Sequence, residues 1–92
     1  MGRERTLMKS KEHKARAEVS ALLRQLADKL DSEATVRLVQ GEQEIVLEVP
    51  DRVELQIKAE EELKGTRTQL GLQVEFQWFV GDAADGGGIT LG

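Results

Sequence analysis

Residues 70–80, "LGLQVEFQWFV", alternate with a period of two. Leu70, Leu72, Val74, Phe76, Trp78 and Val80 share one parity, while Gln69, Gly71, Gln73, Glu75 and Gln77 share the other. Side chains two apart stand on the same side of a β-strand, so this stretch buries one side and wets the other. A helix would scatter the same residues around its circumference. The rhythm recurs in three earlier segments: Val36 and Leu38; Ile45, Leu47 and Val49; Val53, Leu55, Ile57 and Ala59. Four such segments in succession predict an antiparallel sheet covered on one side only.

The turns between them give an independent check, because residues that face one another across a pair must share a sheet face. "QGEQ" offers a two-residue loop, Gly41-Glu42, with glycine first as a type II′ turn needs. It sets Leu38 opposite Ile45 and Val36 opposite Leu47. "ELKGTR" reads as a four-residue loop, Leu63 to Thr66, that pairs Glu62 with Arg67. That register places Ile57 opposite Leu72, Leu55 opposite Val74 and Val53 opposite Phe76. Between the hairpins an odd loop, Pro50 to Arg52, keeps Val49 and Val53 on the inner face. Proline there ends the strand, having no N–H for the ladder.

Ahead of the strands the period is 3.6. In "ARAEVSALLRQLADKLDSE", Val19, Leu22, Leu23, Leu26 and Leu30 form one stripe, extended by Ala15 and Ala27. Arg16, Glu18, Arg24, Gln25, Asp28 and Lys29 cover the other side. Ser10 could cap this helix and Ala15 caps poorly, so the helix is placed from near Ala15 onward. The expected fold is therefore α+β: one amphipathic helix packed on one face of a four-stranded antiparallel β-meander. The segment "RERTLMK" could add a short fifth strand pairing with the last, placing Leu7 or Met8 against the core. Residues 1–80 then form a single domain, and the glycine-rich 81–92, "GDAADGGGITLG", a disordered tail.

These segments resemble the Amphi-Trp domain family. The helix "EVSALLRQLADKL", the following "TVRLVQGEQEIVLEVPDRVELQIKAEEE" and the closing "LGLQVEFQW" with Trp78 carry the resemblance over about residues 5–79. Two features depart from it: Ala15 stands where a capping serine or threonine is expected, and Phe79 and Val80 continue the apolar character past the tryptophan. The resemblance implies the fold and brings no established biochemical activity with it.

Composition narrows the function classes. The chain has 92 residues and no cysteine, which removes disulfides and thiolate metal ligands. No apolar run approaches the roughly 20 residues that span a bilayer, and none reads as a signal-peptide core, so a cytoplasmic protein without membrane association is expected. Residues 1–16 hold Arg3, Arg5, Lys9, Lys11, Lys14 and Arg16 against Glu4 and Glu12, a net +4; the whole chain is −4, leaving −8 on residues 17–92. Nucleic-acid binding through Arg3, Arg5, Lys9 and Lys11 would be steeply salt-dependent. It is disfavoured, because the aromatic residues Phe76, Trp78 and Phe79 all lie in the acidic part.

No catalytic constellation stands out. His13 is the only histidine, so no histidine–cysteine metal site can form. Ser10, Ser20 and Ser32 lack any nucleophile motif, and "GDAADGGG" has no lysine to serve as a phosphate loop. Neither an enzyme nor a cofactor is expected. On the wet face the register places Glu48 opposite Glu54 and Glu54 opposite Glu75. Such a row is a solvated face relieved by neighbouring cations, an acidic patch for a basic partner, or a weak divalent-cation site of oxygen ligands. The partner reading takes Glu48, Glu54, Glu75 and Phe79 as contact residues, with no metal assigned. Trp78 shares the inner parity and seals the core edge, or else serves a ligand pocket between helix and sheet. The expected function is a non-catalytic protein-interaction module using its open sheet face or a strand edge, with self-association into a homodimer open to it. The alternative is a small-molecule or peptide binder at Trp78.

Overall fold

The computed structural model describes residues 3–80. In chain order it contains a helix, α1 (Arg16–Ser32), and four strands: β1 (Thr35–Gln40), β2 (Gln43–Glu48), β3 (Glu54–Lys64) and β4 (Arg67–Gln77). The α+β class and antiparallel pairing follow from the periods in the sequence. The strands form two two-stranded sheets, β1–β2 and β3–β4. They belong to two compact units, Met1–Val49 and Pro50–Gly92, each described by itself. The expected tail, 81–92, lies outside the described residues.

In the first unit α1 begins where the apolar stripe does. Ala15 has no side-chain acceptor for the free N–H groups of the first turn, so only half of a capping box forms: the Ala15 N–H donates to Glu18 Oε1 at 3.3 Å. Glu18 in the first turn and Lys29 in the last suit the helix dipole. Beyond the C-cap Glu33, Ala34 takes a left-handed φ of 57° and donates its N–H to the Lys29 carbonyl at 3.0 Å. Glycine is the usual occupant of such a position, since a Cβ there crowds the following carbonyl.

Ala34 also starts the first hairpin, its carbonyl accepting from the Val49 N–H at 2.8 Å. Val36 pairs with Leu47 and Leu38 with Ile45, as the alternation predicts. Of the two turn residues only Gly41 has positive φ, the sign pattern of a type II′ turn. Helix α1 lies beside β1. Between them is a cavity of about 620 Å³ whose lining includes Leu22, Leu26, Val36 and Leu38. Val36, 8% exposed, is the buried apolar residue of this unit, with Leu26, Leu30, Ile45, Leu47 and Val49 half-buried. Residues 3–15 carry no regular element; Met8 is half-buried, and the Lys9 carbonyl accepts from Gln40 Nε2 at 3.2 Å.

The second unit is one long hairpin, and its register corrects the sequence reading. Lys64 pairs with Arg67 across a two-residue loop, Gly65-Thr66, in place of the four-residue loop from Leu63. Gly65 takes φ 62° while Thr66 stays negative, repeating the geometry at Gly41. The tighter loop adds the pairs Leu63–Thr68 and Lys64–Arg67 to the ladder. The like charges it opposes are eased by Glu62 Oε1, 3.3 Å from Lys64 Nζ. Every cross-strand pair moves by two residues: Leu55 faces Phe76, Ile57 faces Val74, and Ala59 faces Leu72. A shift of two preserves parity, so the apolar face survives the correction.

Candidate functional site

The β3–β4 hairpin separates its side chains by face. One face carries Leu55, Ile57, Ala59 and Leu63 from β3, with Leu70, Leu72, Val74 and Phe76 from β4. Within the strands its only charge is Glu61, opposite Leu70. The other face carries Glu54, Gln56, Lys58, Glu60, Glu62 and Lys64 against Arg67, Gln69, Gly71, Gln73, Glu75 and Gln77. Its charges are partly matched locally, with Lys58 Nζ 3.0 Å from Glu60 Oε1. A two-stranded sheet has no second layer of its own, so the apolar face stays open: Ile57 is 64% exposed and Leu72 76%.

The two-residue shift separates the carboxylates expected in a row. Glu54 stands opposite Gln77, whose Nε2 donates to Glu54 Oε1 at 2.9 Å. Glu75 faces Gln56. Glu48 belongs to the first hairpin, opposite Thr35. The like-charge opposition of Glu54 and Glu75 is thus replaced by a carboxylate–amide pair, and Gln77 is the partner the sequence reading overlooked. Among the described residues no three histidine, aspartate or glutamate side chains gather as a cation site would require.

At the open end of this hairpin the aromatic residues take different sides. The Trp78 ring stacks on Phe76, with centroids 6.2 Å apart and planes 23° apart, which holds the indole on the apolar side. Phe79 follows on the other parity and is 80% exposed. Arg52, Val53, Glu54, Gln77, Trp78 and Phe79 line a cavity of about 490 Å³ there. Arg52 is the other contributor that sequence reasoning did not single out; only the chain reversal at Gly65 brings it level with Phe79.

The basic residues Arg3, Arg5, Lys9 and Lys11 lie in the irregular segment before α1 and are exposed. They belong to the first unit, whereas the aromatic residues all belong to the second. No helix among the described residues is long and apolar enough to cross a membrane.

A sequence profile described as the Amphi-Trp domain matches residues 1–92. No curated protein matches the chain. No solved structure matches it.

Proposed function

The chain belongs to the Amphi-Trp domain family, and from that premise and the form of its second hairpin we propose that it is a non-catalytic, cytoplasmic interaction module that works through its sheets. The observation that carries this reading is the eleven-residue β3–β4 pair, apolar along one face and Glu/Gln-rich along the other. Exposed apolar surface of this extent marks a contact surface in a soluble protein. Glu54, Glu75 and Phe79 are proposed contacts on the Glu/Gln-rich side of this hairpin, and Glu48 is a proposed contact of the first hairpin. Nucleic acid is disfavoured as partner, because basic and aromatic side chains are segregated along the chain.

A pull-down from cell extract tests the reading with three baits: the native chain, Leu72→Glu and Glu54→Lys. A protein partner, a second copy included, is expected on the native bait. It should be lost from Leu72→Glu and reduced on Glu54→Lys. Equal recovery on all three, or none on any, contradicts the proposal.

The cavity lined by Trp78, Arg52 and Phe79 favours a second reading, a small-molecule or peptide site. There the Arg52 guanidinium could meet an anionic group beside an aromatic ring. A saturable change in Trp78 fluorescence at constant mass would support this reading over the first.

A further inference from the structure

We propose that the apolar face of the β3–β4 hairpin is covered by the same face of a second copy of this chain, hairpin on hairpin about a two-fold axis. The inference rests on the reading of that face as an interaction surface and names its occupant. The described chain has one helix and four strands, and α1 lies beside β1 in the first unit. Among the described residues the second unit holds β3 and β4 and no helix, so its apolar face has no second layer within that unit.

Size and composition point to a second copy as its cover. Leu55, Ile57, Leu63, Leu70, Leu72 and Val74 are all more than half exposed. Together they present on the order of 700 Å², close to the ~800 Å² that each side of a standard interface buries. With Glu61 as the only charge within the strands on this face, it offers no sign by which to select a foreign partner. An uncharged, ridge-like row of Leu, Ile and Val is complementary to itself, as an isologous two-fold contact requires. The outer Glu, Gln and Lys faces of both hairpins would remain in water. The strand edges are weaker candidates, since Lys58, Lys64 and Arg67 stand along them and lysine on an edge discourages further pairing.

The test is sedimentation of the full 92-residue chain over two decades of concentration. The native chain is expected to run at twice the monomer mass and to dissociate on dilution. Leu72→Glu should weaken association at least a hundredfold. Gln73→Glu, one residue away on the wet face, should leave it unchanged. Should Leu72→Glu fail to fold by circular dichroism, Leu72→Ala serves in its place, with association weakened about tenfold. A native chain that stays monomeric throughout overturns the proposal but spares the broader reading if the pull-down still recovers a foreign protein through Leu72. A dimer indifferent to both Leu72 substitutions, or an assembly that grows without limit, also overturns it by placing the contact at the strand edges.

Discussion

The two hairpins are built by the same rules and end differently. Each is antiparallel, turns on a glycine in first place and alternates apolar with polar side chains. In the first, the strands are six residues long and α1 lies beside β1: Val36 is buried and Ile45 and Leu47 are half-buried. In the second, strands of eleven residues leave every apolar side chain but Phe76 exposed. Alternation decides which side of a strand is apolar, and burial depends on what is placed against that side. A hairpin alone meets the first condition only.

Truncation of one apolar side chain in each hairpin should separate the two cases most sharply. Val36→Ala is expected to cost about 2 kcal/mol in urea unfolding at any protein concentration, because it empties a buried site. Leu72→Ala should cost about as much at high concentration and almost nothing at high dilution, if its cover is a second copy. Equal, concentration-independent losses would erase the distinction.

The turns come next in size. Valine at Gly65 must adopt a positive φ that β-branched residues resist, so Gly65→Val should lower stability by roughly 1–2 kcal/mol. Gly41→Val should do the same to the first hairpin. A negligible effect at Gly65 alone would favour the longer loop from Leu63. In the opposite direction, Ala34→Gly should raise the melting temperature, relieving a left-handed alanine worth about 1 kcal/mol before the entropic cost of glycine is subtracted. The smallest effect expected is at Glu18: its alanine variant removes half of a capping box in the solvated first turn, costing about 0.5 kcal/mol.

Much of this architecture was legible in the residues. The stripe from Val19 to Leu30 located α1, and Ala15 proved to be its flanking residue. Gly41 identified the first turn and, with it, the pairs Val36–Leu47 and Leu38–Ile45. The loop at Gly65 was misread for a definite reason. Loops of two and four residues both keep Leu55, Ile57, Val74 and Phe76 on one face, so parity could not choose between them. The glycine-first geometry could have done so, by analogy with Gly41. The acidic row was a casualty of that choice, since moving the register by two exchanges Glu75 for Gln77 opposite Glu54. Trp78 was placed on the apolar side by parity, and its stacking on Phe76 agrees. What covers the apolar row was not legible, because a period of two reports a preference for burial and says nothing of the surface that provides it.

The most direct test is an isotope-filtered nuclear Overhauser experiment on an equal mixture of ¹³C-labelled and unlabelled chains. The account predicts intermolecular cross-peaks between the methyl groups of Ile57, Leu72 and Val74 on one copy and the same set on the other. Cross-peaks confined to single copies, or reaching between copies only from the Glu/Gln face, would contradict it.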